Sequence, residues 1–248
     1  MTEEQLTQIK IEITKALDSG ATPIAAFDAD GTLWPTDMGE SFFEYQIQNN
    51  LIENLPSDPW THYFDLKKKN PAEAYLWLAQ INQGHSHENM LKWSKASVEH
   101  QKEIHGFKVF SFQKEIIDFL KKNSVEIYIV TASIKWAVAG GAFEYGIPYE
   151  NVIGVGVRVD EQGLLTDQQQ GPITFKEGKV KALLEATDQR QPFYSTGNTM
   201  GDYALLKAST NLKVTICSSA KDHKLYETEE ELYQKAQENS WHTVNLRG

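Results

Sequence analysis

Residues 27–34 of the chain read Phe27-Asp28-Ala29-Asp30-Gly31-Thr32-Leu33-Trp34. The stretch directly continues a short apolar segment, residues 23–27 (PIAAF). Such a segment is typical of a strand buried on both faces. Because residues two apart on an extended chain face the same way, the carboxylates of Asp28 and Asp30 are predicted to point into one small volume. Two such anions repel each other unless a proton or a cation lies between them. Mg²⁺ with oxygen ligands suits this pair, although Asp and Gly together also suit an ordinary turn.

Further predicted strands follow along the chain, most of them separated by helices. Residues 125–130 (VEIYIV) form a second buried strand that ends in Thr131, Ala132 and Ser133. Residues 192–194 and 212–217 are two more strands, and residues 153–159 and 164–166 are predicted to form a β-hairpin. Helices are predicted over residues 114–122 and 179–186. This alternation predicts an α/β fold with a doubly wound, Rossmann-like parallel sheet.

The segment between the first two strands has only helix signals. The first predicted helix runs through Phe42 to Ile52, the second opens at Asn70 with Pro71 just inside it, and the third starts near Ser86. A short turn is predicted at residues 57–59. Residues 34–106 are therefore predicted to be an α-helical cap domain inserted into an α/β core formed by residues 1–33 and 107–248.

Charge and composition narrow the possible partners. The 248 residues include 24 Lys and Arg against 34 Asp and Glu, a net charge of -10, which argues against nucleic acid or an anionic membrane as the main partner. An anionic small substrate is not excluded. Cys217 is the single cysteine, so no internal disulfide can form, and a cytoplasmic location is the expectation.

The sequence resembles the haloacid dehalogenase superfamily of aspartate-nucleophile phosphatases, in the branch similar to phosphoserine phosphatase. The match is carried by FDADGTLW at residues 27–34 and by three later stretches in the order that the family requires. The resemblance implies that Asp28 is the nucleophile, which forms an aspartyl-phosphate, and that Asp30 is the acid that protonates the leaving alcohol and later activates water. Gly31 and Thr32 of the same motif are implied to contact the substrate.

The three later stretches supply the remaining residues that the resemblance implies. IYIVTAS gives Thr131 and the backbone near Ala132 as ligands of the transferring phosphoryl group. FKEGKVKALL gives the phosphate-neutralising lysine, which we place at Lys179 rather than at Lys176. YSTGNTMGDYALL departs from the family pattern because an asparagine replaces the more common first aspartate. The resemblance implies Mg²⁺ as the cofactor, with Asp28, Asp30, Asn198 and Asp202 as its ligands.

The composition of the predicted cap bears on the substrate. Residues 34–110 contain no arginine, which counts against phosphoserine because a carboxylate is usually held by a bidentate arginine. Asp37 and Glu40 lie where phosphoserine phosphatases have an acid that contacts the substrate amine, and the segment is rich in Trp, Tyr and Phe. An acid with aromatic rings suits an ammonium or choline-like head group, but the same aromatic residues also suit the core of the cap.

The resemblance therefore implies a Mg²⁺-dependent phosphatase that hydrolyses a small phosphomonoester, with an amine- or choline-bearing substrate as one option. The expected partner is a small phosphorylated metabolite, and the expected assembly is a monomer or homodimer. A phosphomutase or phosphotransferase on the same site is the first alternative. The second is a catalytically silenced member that acts as a binding protein, with Asn198 as the sign of lost function.

Overall fold

A seven-stranded sheet forms the centre of the computed structural model, which describes residues 1–247. Its order is β4-β3-β2-β1-β5-β6-β7. The strands are β1 (Ile24–Phe27), β2 (Glu126–Ile134), β3 (Val152–Val159), β4 (Leu165–Gln170), β5 (Tyr194–Gly197), β6 (Leu212–Cys217) and β7 (His242–Asn245). All neighbours are parallel except β3 and β4, which form the antiparallel edge. The predicted α/β fold with a doubly wound sheet is confirmed.

β1 lies at the point where the order of the sheet reverses. It pairs in parallel with β2 on one side and with β5 on the other, and all four of its residues are buried. The chain reaches these two neighbours by crossovers in opposite directions, so a crevice opens beyond the carboxyl end of β1. Asp28 stands at that end, where its backbone N–H donates to the carbonyl of Thr196 at 2.9 Å.

Ten α-helices accompany the sheet within residues 1–247. They are α1 (Glu3–Asp18), α2 (Met38–Gln48), α3 (Pro59–Lys69), α4 (Pro71–Gln80), α5 (His87–His105), α6 (Ser111–Lys122), α7 (Lys135–Glu144), α8 (Glu177–Ala186), α9 (Tyr203–Ala208) and α10 (Tyr226–Glu238). The prediction of a mere turn at residues 57–59 is wrong, because a helix follows at once: α3 begins at Pro59, and Asp58 is its N-cap. The side chain of Asp58 accepts from the backbone N–H of Thr61 at 3.0 Å, and Pro59 occupies the first turn.

The second strand is longer than the sequence predicts. β2 continues through Thr131, Ala132 and Ser133 to Ile134, which pairs with Val155 of β3 after a shift in register. The next helix, α7, begins only at Lys135. The polar residues end the apolar run without ending the strand, because the neighbouring strand β3 still offers hydrogen-bonding partners there.

We call helices α2 to α5 the cap helices. Of these, α4 packs against the sheet edge formed by β3 and β4, while α5 packs against α7. Phe43 and Tyr63 share one hydrophobic cluster with Trp136, Val155 and other buried residues outside the cap helices. The division into a core of residues 1–33 and 107–248 and a cap of residues 34–106 stays a prediction. Among residues 1–247, no helix is long and apolar enough to cross a membrane.

Candidate functional site

Two carboxylates meet one buried lysine beyond the carboxyl ends of the central strands. Asp28 follows β1, and Asp202 lies in the loop after β5. Lys179, in the first turn of α8, donates from Nζ to Oδ1 of Asp28 at 2.6 Å and to Oδ1 of Asp202 at 2.5 Å. The Lys179 side chain is 2% exposed. An ammonium is stable at such depth only where anions flank it, so the two carboxylates and the lysine depend on each other.

The trio of Asp28, Asp202 and Lys179 combines two carboxylates with one ammonium. Burial raises the pKa of Asp28 to about 6, with a further contribution from the Asp202 carboxylate that Lys179 only partly offsets. Burial acts against the charge of Lys179, but Asp202 and Asp28 prevail and hold the pKa of Lys179 above its ordinary value. Lys179 therefore remains protonated. Its single positive charge faces two carboxylates, so a further cation beside them would be stabilised.

Asp30 is held by a separate set of donors. Its Oδ1 accepts from the indole N–H of Trp34 at 2.8 Å and from the backbone N–H of Met38 at 3.0 Å, and its Oδ2 accepts from the hydroxyl of Ser133 at 2.6 Å. Burial, with the added effect of the Asp37 carboxylate, raises the pKa of Asp30 to about 7. A carboxyl group with a pKa near neutrality can both give and take a proton, which is what acid and base catalysis requires.

The loop after β5 is fixed by Asp202 itself. Oδ2 of Asp202 accepts from the backbone N–H of Asn198 at 3.1 Å and of Thr199 at 3.0 Å. The Asn198 side chain is 1% exposed and lies between two partners. Its Nδ2 donates to Glu229 at 3.1 Å, while its Oδ1 accepts from the hydroxyl of Thr32 at 3.4 Å. The amide oxygen of Asn198 is thereby turned toward the side where Thr32 also donates to Oδ2 of Asp28 at 2.8 Å.

Most residues predicted for the site line one cavity of about 300 Å³. They are Asp28, Asp30, Asp37, Thr131, Ala132, Lys179, Asn198 and Asp202. Thr32 lies beneath this cavity against Asp28. Gly31 and Glu40 line the neighbouring cavity instead. Lys176 does not join the carboxylates, since its Nζ lies over the ring of Phe175, 5.3 Å from the centroid. The roles of these residues stay predictions.

Several residues of the site were missed by the reasoning from sequence, among them Ser133, Lys67, Lys224 and Glu229. Ser133 follows the Thr131-Ala132 motif at the spacing of two that puts strand side chains on one face, so this signal was available. Lys67 and Glu229 stand in runs of like charge, which usually indicate a solvated surface. Glu229 is nevertheless fully buried.

The oxygen donors present suit a hard divalent cation such as Mg²⁺. Asp28 and Asp202 offer carboxylates, and the hydrogen bond to Glu229 fixes the Asn198 amide with its oxygen turned inward. Residues 1–247 hold no group of three or more His, Cys, Asp and Glu side chains arranged for a metal. A metal at this place would therefore need the neutral oxygen of Asn198, or a main-chain carbonyl, beside the two carboxylates.

Known proteins resemble this chain in both sequence and fold. The phosphorylcholine phosphatase of Pseudomonas aeruginosa (strain PAO1) is 23% identical in an alignment of 192 positions that covers 63% of this chain and 53% of that protein. The chain thus spans about half the length of the curated relative that it matches. A protein with unknown function from Bordetella pertussis Tohama I superimposes with a TM-score of 0.69 at 17% identity, over 91% of this chain and 99% of that one.

A phosphoserine phosphohydrolase-like protein from Francisella tularensis SCHU S4 superimposes with a TM-score of 0.55 at 16% identity, over 89% of this chain and 94% of that one. At such identities these two structures show the shared fold. The sequence model of the haloacid dehalogenase-like hydrolases matches residues 25–207, which run from β1 to α9 and hold the Asp28, Lys179 and Asp202 trio. The chain belongs to the haloacid dehalogenase-like hydrolase family.

Proposed function

We propose that this chain is a Mg²⁺-dependent phosphatase that hydrolyses a small phosphomonoester through an aspartyl-phosphate on Asp28. The observation that carries the proposal is the buried contact of Lys179 with both Asp28 and Asp202, at 2.6 and 2.5 Å, beyond the end of β1. A lysine so placed keeps the Asp28 carboxylate ionised as a nucleophile and offsets the charge of an arriving phosphate.

In the first step, Asp28 attacks phosphorus, and a new P–O bond forms as the bond to the leaving alcohol breaks. Asp30 gives its proton to the leaving oxygen. In the second step, water attacks the phosphorus of the aspartyl-phosphate while Asp30 takes a proton back, which releases inorganic phosphate and restores Asp28. The Thr131 hydroxyl and the backbone near Ala132, which line the same cavity, bind phosphoryl oxygens during both steps.

Asp28, Asn198 and Asp202 would hold Mg²⁺, and Asp30 would contribute its main-chain carbonyl, because its carboxylate oxygens are engaged by Trp34, Met38 and Ser133. When bound, the ion would offset the negative charge that gathers on the phosphoryl group.

Hydrolysis of p-nitrophenyl phosphate with Mg²⁺, compared between the wild type and Asp28→Asn, tests the proposal. We expect Asp28→Asn to lose activity by at least about a thousandfold, since the nucleophile is removed. Asp65→Asn, on the exposed side of α3, is the matched control for loss of a carboxylate and should keep wild-type activity. Mass spectrometry of acid-quenched wild type should find a phosphoryl group on the peptide that contains Asp28.

The two alternatives have distinct outcomes in the same experiment. Equal rates in the wild type and in Asp28→Asn would contradict the mechanism. Transfer of the phosphoryl group to an added alcohol in preference to water would show a phosphotransferase or phosphomutase. Stabilisation by inorganic phosphate without any hydrolysis would show a binding protein.

The boundaries of the cap belong to the same proposal. We infer that residues 34–106 cover the site, since Asp37, Tyr63 and Lys67 from this segment line the cavity that holds Asp28. A cap in this position excludes water and contacts the alcohol part of the substrate. Limited proteolysis with and without inorganic phosphate should show protection within residues 34–106.

A further inference from the structure

Two aromatic residues of the cap helices lie where the alcohol part of a substrate would be bound. Tyr63 of α3 and Tyr75 of α4 line the same cavity as Asp28 and Lys179. Two rings beside a phosphate site form the kind of surface that binds an ammonium head group through cation–π contacts. The occupant of this surface therefore bears on the choice of substrate.

Lys67 already stands beside this aromatic surface. Its Nζ lies 5.5 Å from the ring centroid of Tyr75, and 5.1 Å from that of Tyr63, which it contacts at the hydroxyl edge of the ring. The ammonium is fixed by two further contacts, because it donates to Oε1 of Glu40 at 2.9 Å and to the hydroxyl of Tyr63 at 2.9 Å. Lys67 and Tyr63 are four residues apart on α3, so they share one face of the helix.

The acidic residues nearby are also matched with cations of the chain. Glu40 accepts from Lys67 on one oxygen and from Lys224 on the other, at 2.6 Å. Oδ2 of Asp37 lies 4.0 Å from Lys224 Nζ. Burial disfavours the charge of Lys67, yet Asp37 and its other neighbours hold the pKa of Lys67 above its ordinary value. The acids that would attract a substrate ammonium thus already face two lysines.

We infer that Lys67 is a specificity-determining residue whose ammonium takes the place that a substrate ammonium would need. The pocket then selects phosphomonoesters with a neutral alcohol part over those with an ammonium or choline head group. A cationic head group at these rings would meet the Lys67 ammonium at close range and would find Glu40 already paired. The inference rests on the proposed phosphatase function and narrows its substrate class.

The inference differs from what the resemblance to a phosphorylcholine phosphatase would suggest. That protein is named for a choline ester, and acidic and aromatic residues in the predicted cap favour the same substrate. The position of Lys67 distinguishes the two cases, since a buried ammonium of the chain beside the two rings repels a second cation there. A carboxylate-bearing substrate is disfavoured as well, because Asp37 and Glu40 stand beside the lysines.

A pair of substrates that differ in charge alone gives the test. Phosphocholine and 3,3-dimethylbutyl phosphate have nearly the same shape, but the second carries a neutral carbon in place of the quaternary nitrogen. We expect wild-type kcat/KM to be at least about tenfold higher for the neutral ester, given the strength of the cation–π and ionic contacts involved. Lys67→Met should lower this ratio by about tenfold or more, because it removes the charge that repels a cationic head group beside the two rings.

Two variants control for effects other than charge. Lys67→Arg keeps a cation beside the rings and should retain most of the preference for the neutral ester. Lys68→Met removes the adjacent lysine, which is exposed on α3, and should leave the ratio unchanged. Thermal unfolding of each variant shows whether it is folded, and the wild-type ratio is a test that needs no variant.

The outcomes separate this inference from the proposed function. Failure to hydrolyse any phosphomonoester, p-nitrophenyl phosphate included, would overturn the phosphatase proposal and this inference with it. Hydrolysis with a wild-type preference for phosphocholine would overturn the role of Lys67 alone. An unchanged ratio in a folded Lys67→Met would do the same.

Discussion

The side-chain amide of Asn198 donates to Oε1 of Glu229 at 3.1 Å, across 31 positions of sequence. Glu229 is fully buried on α10, and its Oε2 accepts from the backbone N–H groups of Ser218 at 3.1 Å and Ser219 at 2.9 Å. Because a carboxylate can only accept, the amide must turn its Nδ2 toward Glu229 and its oxygen toward Thr32. The asparagine therefore fits this chain for a structural reason, and it need not indicate a lost function.

The first prediction concerns Asn198→Asp, which restores the residue more common in the family. We expect this variant to be less stable than the wild type by about 2–4 kcal/mol at neutral pH, since it sets two carboxylates against each other in a buried place. Its Mg²⁺ response should not improve, although the site gains a charge. Urea denaturation with and without Mg²⁺ measures both effects.

The control for this prediction is the double variant Asn198→Asp with Glu229→Gln. The glutamine can donate to the new carboxylate, so much of the lost stability should return and the two changes should be strongly non-additive. Equal stability of Asn198→Asp and the wild type would contradict the proposed conflict between residues 198 and 229.

The second prediction concerns Lys179, which separates Asp28 from Asp202. Lys179→Met leaves two buried carboxylates facing each other, and we expect a loss of about 3–5 kcal/mol in the free energy of unfolding as well as loss of hydrolysis. Lys181→Met, on an exposed position of the same helix, is the matched control and should change neither. Adding Asp28→Asn to Lys179→Met should recover stability but not activity. A double variant as unstable as the sum of its parts would refute the coupling.

The architecture could largely be predicted from the sequence because it rests on short-range signals. A strand buried on both faces reads as a continuous apolar run, as for β1, and helices such as α4 carry Pro71 just inside their start. Helix α3 escaped prediction since Tyr63 is its only fully buried residue, so its apolar face is narrow. Asp58 and Pro59 suit a helix start, but a turn uses the same residues, so the sequence alone does not separate the two.

The predicted site is less complete than the fold because its remaining residues depend on long-range packing. Nothing near Glu229 in the sequence shows that it reaches Asn198, or that it is buried beside Ser219. Lys67 stands in a run of three lysines, yet Tyr63 and Glu40 fix its ammonium inside the cavity. A residue in a charged run is buried only when another element supplies its partners, and that information is not local.

The third prediction concerns the pH dependence of stability at Asp30. The pKa of Asp30 is raised from an ordinary value of 3.8 to about 7, first by burial and then by Asp37. The folded state therefore binds this proton more tightly than the unfolded state, and Asp30 destabilises the fold progressively as the pH rises from about 4 to about 7. Asp30→Asn removes this loss of stability, because the asparagine carries no titratable proton. Its amide group can still form hydrogen bonds with Trp34, Met38 and Ser133.

We expect the gain in stability of Asp30→Asn over the wild type to grow between pH 4 and 7 and to level off above pH 7. Its size should be on the order of a few kcal/mol at most. Urea midpoints measured without Mg²⁺ from pH 4 to 8 give the curve, with Asp65→Asn as the control for loss of a charge. Parallel curves for Asp30→Asn and the wild type would show that Asp30 is not desolvated in the fold.

The fourth prediction separates backbone strain from steric overlap at Gly31. Gly31 has a φ of +79°, and a Cβ at this position would overlap the side-chain amide of Asn198. Gly163, in the turn between β3 and β4, has a φ of +81°, but nothing lies within 4 Å of the place of its Cβ. Both glycines use the left-handed region, so an alanine at either position carries a similar conformational cost of about 1 kcal/mol.

Gly31→Ala should therefore cost more than Gly163→Ala, by about 1–3 kcal/mol, because the amide of Asn198 must move. The displaced amide also turns its oxygen away from Asp28, so Gly31→Ala should weaken the shift of the unfolding temperature by Mg²⁺, and Gly163→Ala should leave that shift unchanged. Chemical denaturation and thermal unfolding of the two variants measure these effects. Equal costs at the two positions would mean that the Asn198 amide yields freely, and its hydrogen bond to Glu229 would then not determine its orientation.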